Sequence, residues 1–294
     1  MLSILIPIYN YSCIDLVTSL IDSAEKAGIV YEIICIDDCS TIADPNKSAY
    51  SSLKNVRFIQ LDKNCGRAKV RNLLADSAKY EQLLFIDSDM SLVNNDYILK
   101  YKEHIIHQHI VFGGLTYRNV QTENVLRLKY GLEREALPVQ KRILKPYIST
   151  KTCNLLIPKK HFNELRFEES LTQYGHEDTL FSIEIERKAF DVIHIDNPLY
   201  HDGIESSKDY LHKVRLASEN LVDLERHFLS EQEMMEFNLI RIYYKLEKLF
   251  LLKPIISIIS IYINTIEKNL CSKNPSMLFL DFYKLYYFNY YKKV

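Results

Sequence analysis

Apolar runs too short for helices recur along the first third of the chain, with amphipathic stretches between them. Leu2-Ser-Ile-Leu-Ile-Pro-Ile8 reads as a buried strand that Tyr9-Asn10-Tyr11 ends. A helix is predicted next: Ser12 and Asp15 have capping spacing, Ile14, Val17, Leu20, Ile21 and Ala24 form an inner stripe, and Gly28 closes it. Tyr31 to Ile36 predicts a second strand, ending in Asp37-Asp38. Val56 to Leu61 predicts a third, after a polar loop and a short helix, and runs into Asp62-Lys-Asn64-Cys-Gly66. Arg67 to Ala78 reads as a helix, and Leu83 to Ile86 as a fourth strand ending in Asp87-Ser-Asp89.

Strand and helix alternating at this spacing predict an α/β fold with a doubly wound sheet and right-handed crossovers. In such a sheet the carboxyl ends of parallel strands share one edge, where ligands bind. Asn10, Asp37, Asp38, Asn64, Asp87 and Asp89 all fall at that edge. The chain has neither a GxGxxG fingerprint nor a GxxxxGK[ST] loop, which disfavours nicotinamide dinucleotides and P-loop phosphate binding. An Asp-x-Asp by itself marks a turn or helix cap more readily than a metal site. At a strand mouth, though, two carboxylates suit Mg²⁺ or Mn²⁺, which take hard oxygen ligands together with substrate phosphates. Asp38 can accept a hydrogen bond from a base or ribose. Arg67 and Arg71, one helical turn apart, either face the same cleft and offset phosphate charge or form a solvated helix face.

Asp96 to His109 reads as a helix, followed by a short strand and Gly113-Gly114. Of His104, His107 and His109 only the first two share a helix face, so a surface cluster is expected rather than a metal site. Arg118 to Lys151 carries eight basic and three acidic residues without a strand signal, and reads as a mobile or helical insertion beside the cleft, either touching an anionic acceptor or lying exposed. Thr152 to Pro158 predicts another strand. Tyr174-Gly175-His176-Glu177-Asp178 opens a helix with Leu180, Phe181, Ile185 and Ala189 inside, and its early carboxylates complement the helix dipole. Val192 to Ile195 predicts a further strand, with His201 just beyond its end as a candidate third metal ligand.

Past Gly203 the sequence turns helical. Ser207 to Phe228 is amphipathic, and Glu231 to Leu252 continues until Pro254. Ile255 to Leu270 has a wide apolar face and a narrow polar one of Ser257, Ser260, Asn264 and Glu267, while Met277 to Tyr291 is dense in Phe and Tyr. From Arg241 onward nine Lys/Arg face three Asp/Glu, leaving the rest with 28 basic against 35 acidic residues. An apolar, aromatic and basic tail fits an anionic membrane surface, and equally a helical extension packed on the catalytic domain or a second subunit. No run of about 18 apolar residues predicts a spanning helix. Six Cys without CxxC spacing and no leader-like opening predict reduced thiols in a cytoplasmic setting.

Taken together, the motifs resemble those of the family 2 inverting glycosyltransferases with a GT-A fold. Ser3-Ile-Leu-Ile-Pro-Ile-Tyr-Asn10 is similar to the family's opening strand, and Tyr31-Glu-Ile-Ile-Cys-Ile-Asp-Asp-Cys-Ser40 to its second. Asn64-Cys-Gly-Arg-Ala-Lys-Val-Arg-Asn72 matches a family helix start, and Asp87-Ser-Asp89 its DXD motif. Cys153-Asn-Leu-Leu-Ile-Pro158 resembles the strand beneath the acceptor side, His176-Glu-Asp178 the ED motif and Asn197-Pro-Leu-Tyr-His201 a later metal-ligand segment. The resemblance spans residues 1–205. It implies a bacterial enzyme with a Rossmann-like, doubly wound mixed sheet flanked by helices, divided into a nucleotide-sugar half (1–112) and an acceptor side (113–205), with 206–294 as a helical extension.

It further implies a nucleotide-sugar donor, a UDP-sugar above others, carrying a hexosyl or N-acetylhexosaminyl group. Mn²⁺ or Mg²⁺ is the implied cofactor and a glycan or lipid-linked acceptor the implied partner, as in polysaccharide and cell-surface glycan synthesis. No nucleic acid is expected, and the setting is the cytoplasm or the inner face of the membrane. Pro7, Tyr9, Asp38, Arg71 and Asp87 fall at donor nucleotide positions, Asp89 and His201 at metal positions with Asp87 as a further candidate, and Asp178 at the base, with Glu177 as the alternative. Departure of a nucleoside diphosphate needs its charge offset and one base for the acceptor hydroxyl, whereas a hydrolase needs a carboxylic acid as well. A sugar nucleotidyltransferase, or a silent scaffold of a glycan-assembly complex, are the rival readings.

Overall fold

The computed structural model describes residues 1–118, 123, 125–171 and 175–294. The chain divides into two compact units: residues 1–118, 135–172 and 181–203 form the first, and 119–134, 173–180 and 204–294 the second.

The first unit is built on β1 (Leu2–Ile8), β2 (Tyr31–Asp37), β3 (Val56–Gln60) and β4 (Gln82–Ile86), the four long apolar runs of the sequence. They are connected by α1 (Ile14–Ala27), α2 (Lys47–Tyr50) and α3 (Arg67–Ser77). After them come β5 (Met90–Leu92), α4 (Tyr97–His107), β6 (Ile110–Phe112) and β7 (Leu115–Thr116). Following α5 (Val125–Tyr130) and α6 (Val139–Arg142), the chain forms β8 (Asn154–Pro158), α7 (Lys159–Leu165), α8 (Glu177–Arg187), β9 (Val192–His194) and β10 (Leu199–His201). The main sheet has the order β3-β2-β1-β4-β8-β6-β9. Strands β1 to β4 are parallel, β8 runs antiparallel to both β4 and β6, and β9 is parallel to β6, so the sheet is mixed.

One face of this sheet buries Leu5, Ile34, Leu83, Phe85, Phe112 and Leu155 against Val70 and Leu74 of α3, Phe162 of α7 and Phe181 of α8. Side chains alternate across a strand, so an all-apolar strand such as β1 needs helices on both faces. Helix α4 packs beside α1, where the Ile98 amide donates to Ser23 Oγ at 3.0 Å.

Several local expectations fail for identifiable reasons. Helix α1 is not capped by Ser12 and Asp15. Cys13 is its N-cap without a side-chain bond, and the Cys13 amide instead donates to the Tyr50 hydroxyl at 3.0 Å. Leu16 joins Val17, Leu20 and Ala24 on the buried side, while Ile14 and Ile21 are only half-buried. Ala189 does not belong to α8. It lies beyond the helix end at φ +53°, exposed. His109 does join His104 and His107, because Gln108 in left-handed conformation turns the chain back, and the His104 and His109 Nδ1 atoms are 3.3 Å apart.

The second unit is helical: α5 with the π-helical turn Gly131–Glu135 that follows it, then α9 (Ser207–His227), α10 (Glu231–Met234), α11 (Asn238–Lys248), α12 (Leu252–Leu270) and α13 (Met277–Lys293). The expected continuous helix from Glu231 to Leu252 is broken into α10 and α11 with Phe237 as the second N-cap. Pro254 does not stop a helix but sits in the first turn of α12, where its missing N–H has no intrahelical partner to lose. Helix α13 packs against α9 and α12, with Arg215 of α9 donating to the Tyr283 hydroxyl and the Phe288 ring edge-on to Tyr243 of α11, and Lys292 Nζ donates to both oxygens of the buried Glu225 at 2.8 and 2.9 Å. Among the described residues no single helix is long and apolar enough to cross a membrane.

Candidate functional site

The loops leaving β1 and β2 are tied together at the sheet edge. Asn10, at φ +53°, accepts through Oδ1 from the amides of Thr41 and Ile42 at 2.8 and 3.0 Å. Asp37 accepts from the Ser40 amide at 3.0 Å and from Gln60 Nε2 at 3.2 Å, which makes it a bracket for the β2 end. Asp38 is buried, with Oδ1 and Oδ2 accepting from the Cys65 and Gly66 amides at 2.7 and 2.9 Å ahead of α3. A carboxylate has about four lone-pair sites, so this clamp fixes the group and leaves acceptor capacity. Pro7 lies in β1 opposite Ile36, and Tyr9 is exposed beyond the strand.

Arg67 and Arg71 part company. Arg67 is exposed, whereas Arg71 is 3% exposed, stacks 5.5 Å from the Phe167 ring centre and donates from Nη2 to Asp87 Oδ1 at 2.8 Å. Arg71 thus reaches the sheet edge through Asp87. Asp87-Ser88-Asp89 forms a turn between β4 and β5, with the Met90 amide donating to the Asp87 carbonyl at 3.2 Å.

A second, three-stranded sheet of order β5-β10-β7 completes this region. His201 is not beyond a strand end. It is the last residue of β10, paired with Met90 of β5 in an antiparallel register. That register sets Asp89 beside the end of β10: the Asp202 amide donates to the Asp89 carbonyl at 2.9 Å, and His201 Nε2 lies 3.7 Å from Asp89 Oδ2. His201 Nδ1 is buried without a hydrogen-bond partner, and the Tyr117 ring stacks on the imidazole at 5.4 Å. Gly203 makes room for the carboxylate, since a Cβ there would overlap Asp89 Oδ2 and stand 2.9 Å from Asp89 Cγ.

Asp202, Arg118 and Tyr11, none of them singled out from the sequence as a ligand or catalytic candidate, also belong to this corner. Asp202 accepts from Ser91 Oγ and, at 3.1 Å, from Arg118 Nε. The Arg118 guanidinium lies 4.0 Å over the Tyr200 ring. Burial, then the Asp89 and Asp202 carboxylates, hold the Tyr11 phenol above its usual pKa. Asp202-Gly203 follows His201 directly, but an Asp-Gly pair after a strand signals only a turn.

Behind the corner, Asn154 of β8 is fully buried. Its Oδ1 accepts from the Tyr97 and Tyr101 hydroxyls at 2.6 and 2.7 Å, and its Nδ2 donates to the Gly114 and Asn197 carbonyls at 2.7 and 2.9 Å. Gly113 is required here, because a Cβ would stand 2.5 Å from Asn154 Nδ2 and 2.6 Å from the Asn197 carbonyl. Arg142 comes from the basic stretch expected to be mobile, exposed or at an acceptor, yet it is buried. It donates to the carbonyls of Leu137, Phe112, Gly113 and Ile195 at 2.9 to 3.3 Å and to His194 Nδ1 at 3.2 Å. Residues 119–122 and 124 of that stretch lie outside the described residues.

Glu177 and Asp178 occupy the first turn of α8, half-buried, in the second unit. Gly175 before them, at φ +96°, accepts through its carbonyl from Asn220 Nδ2. Tyr174 lies outside the described residues.

Residues 3–163 match the family model of glycosyl transferase family 2, more than half of the chain. The chain belongs to glycosyl transferase family 2. Among its relatives is poly(ribitol-phosphate) beta-N-acetylglucosaminyltransferase TarS of Staphylococcus aureus, 23% identical over 233 residues. The match covers 76% of this chain but only 39% of the relative's length. Succinoglycan biosynthesis protein ExoO of Rhizobium meliloti is 34% identical over 80 residues, covering 27% of this chain and 23% of the relative. The mannosyltransferase PcManGT of Pyrobaculum calidifontis, solved with GDP-Man and Mn²⁺, shares the fold at a TM-score of 0.54 and 14% identity, over 79% of this chain and 66% of that one. GalNAc-T7, solved with UDP, GalNAc and Mn²⁺, does so at 0.52 and 17%, over 76% and 47%.

Whether the family site fits a divalent cation rests on its donors. Among the described residues no three His, Cys, Asp or Glu converge on one point. The donors present are the Asp89 carboxylate and the His201 imidazole, facing one another, with Asp87 held back by Arg71. Two protein ligands suffice for Mg²⁺-like ions, which draw their remaining ligands from water and substrate phosphates. The residues fit such an ion as part of a nucleotide complex.

Proposed function

We propose that this protein is an inverting glycosyltransferase that moves a sugar from a nucleotide-sugar donor, a UDP-sugar by preference, to a glycan or lipid-linked acceptor. The observation that carries this reading is the Asp89–His201 pair, cleared by Gly203 and bordered by the Arg71–Asp87 ion pair at the end of β4. The family membership and the Mn²⁺ in the named neighbours of the same fold support it.

In this reading Pro7 and Tyr9 flank the base, and Asp38 receives its N–H or a ribose hydroxyl on the lone pairs that the backbone clamp leaves open. Asp87 accepts from the ribose while Arg71 holds it in place. Asp89 and His201 hold Mn²⁺ or Mg²⁺, and a bound cation there supplies charge stabilisation to the departing diphosphate. Asp178 accepts the proton of the acceptor hydroxyl as that oxygen attacks the anomeric carbon, with Glu177 as the alternative base. No carboxylic acid is required, because the nucleoside diphosphate leaves as a stable anion.

A panel of UDP-, GDP- and dTDP-sugars with and without Mn²⁺ tests the reading by thermal shift and by release of free nucleotide. We expect UDP-sugars to raise the melting temperature in the presence of Mn²⁺, with slow metal-dependent hydrolysis. Asp178→Asn keeps that shift and loses transfer. Silence across the panel would leave the scaffold reading in its place.

A further inference from the structure

The corner between α11 and α12 breaks two local rules at one residue. Helix α11 ends in a Schellman-type closure: the Phe250 amide bonds to the Glu247 carbonyl at 2.9 Å, and the Leu251 amide to the Leu246 carbonyl at 2.9 Å. The left-handed residue of such a closure is usually glycine or asparagine, which adopt positive φ cheaply. Here it is Phe250 at φ +58°, a residue that is 89% exposed. The residue is strained by its side chain and gains no burial in return. Local rules broken without compensation inside the fold point to function.

The surroundings say what that function is. Leu249 and Leu251 flank Phe250 and are also exposed, and the chain bends by 117° between the axes of α11 and α12, so the three apolar side chains form an outer corner. Along α12, Ile258, Ile261 and Tyr262 continue the exposed apolar face, while Ile259, Ile266 and Leu270 fill the inner one. Lys245, Lys248 and Lys253 ring the corner, all exposed, with Glu247 as the acid within it. Apolar tips ringed by lysines fit a surface that is apolar inside and anionic outside. A second copy of the chain would set lysines against lysines at a two-fold contact.

We propose that this corner docks the protein on a membrane surface containing anionic lipid. Leu249, Phe250 and Leu251 enter the boundary between headgroups and acyl chains, the Ile258–Ile261–Tyr262 stripe lies along it, and the three lysines meet lipid phosphates. The inference is independent of the transfer reaction, since none of its residues is among the proposed donor, metal or base positions.

Flotation of the full chain with vesicles of phosphatidylcholine alone, and of an equal mixture with phosphatidylglycerol, tests it. The protein floats with the mixed vesicles, and salt releases it. Phe250→Gly weakens that binding about tenfold, as expected for losing one buried aromatic, while its melting temperature stays level or rises, because glycine relieves the strained φ. Lys245→Glu with Lys248→Glu and Lys253→Glu removes the preference for the mixed vesicles. The proposal is overturned if the full chain does not float with mixed vesicles, floats equally with both kinds, or binds undiminished as Phe250→Gly. It is also overturned if sedimentation shows a dimer that Phe250→Gly dissociates, which would assign the corner to a second copy.

Discussion

Asp89 Oδ2 and His201 Nε2 face each other across 3.7 Å, although they lie 112 positions apart, because Met90 and His201 are partners in the β5–β10 ladder. The ladder is antiparallel, so the residue before Met90 and the residues after His201 come together. Gly203 enters the same corner by that geometry, and its lack of a side chain leaves the Asp89 carboxylate where it is.

Gly203→Ala acts on the site and, to a lesser degree, on the local fold. The added Cβ overlaps the Asp89 carboxylate and also stands 2.9 Å from Asp89 Cβ, so rotation of the carboxylate alone does not clear it and the backbone beyond β10 must shift, at a cost of about 1 to 3 kcal/mol, as for overpacking. Metal-dependent UDP binding falls at least tenfold, by analogy with the roughly 10- to 100-fold losses seen when the support of a metal ligand is disturbed. Calorimetric titration beside a melting curve separates the two effects. Wild-type binding by Gly203→Ala would contradict the assigned role.

The two carboxylates of Asp87-Ser-Asp89 part in their contribution to stability. Asp87→Ala removes a carboxylate that pairs with the buried Arg71 guanidinium and costs about 2 kcal/mol, less than the roughly 3 to 5 kcal/mol of a fully buried pair because Asp87 is only half-buried. Asp89→Ala removes a half-buried carboxylate that is not paired with a buried guanidinium and costs less than about 1 kcal/mol. Urea unfolding of both variants should show distinct midpoints at an unchanged slope.

Much of the main sheet was legible because β1, β2 and β4 are apolar on both faces and each ends in polar residues; α3 was legible from its length and its Gly66 start. The second sheet was not, since β5, β7 and β10 have only two or three residues, too few for alternation to register. Asp89 and His201 could be named from the family pattern, but their facing geometry depends on that unread sheet. Arg142 was illegible for another reason: a basic residue in a polar stretch gives no sign that four carbonyls and a histidine will enclose it. The cap of α1 was misread because its amide partner, Tyr50, lies 37 positions away.

His194 makes stability depend on pH. Burial, then the Arg142 charge, lower its pKa to about 4, and since Arg142 donates to Nδ1 the imidazole is neutral, with Nε2–H donating to the Pro146 carbonyl at 3.0 Å. Between the ordinary histidine value near 6.5 and about 4 the unfolded chain binds a proton that the folded chain refuses, so stability is complete above this window and falls as pH drops through it. The loss amounts to about 3 kcal/mol at most. Thermal unfolding from pH 7 to pH 4.5 should fall more steeply for wild type than for His194→Gln. Parallel curves would remove this histidine from the account.

The most direct measurement is calorimetric titration of UDP with and without Mn²⁺ into wild type, Asp89→Asn, His201→Gln and the double variant. If Asp89 and His201 hold one cation against the diphosphate, Mn²⁺ strengthens UDP binding to wild type by roughly tenfold or more, each single variant loses most of that gain, and the double variant loses little further, as coupled residues do. Full Mn²⁺ dependence in the double variant would contradict the account, because the cation would then be held elsewhere.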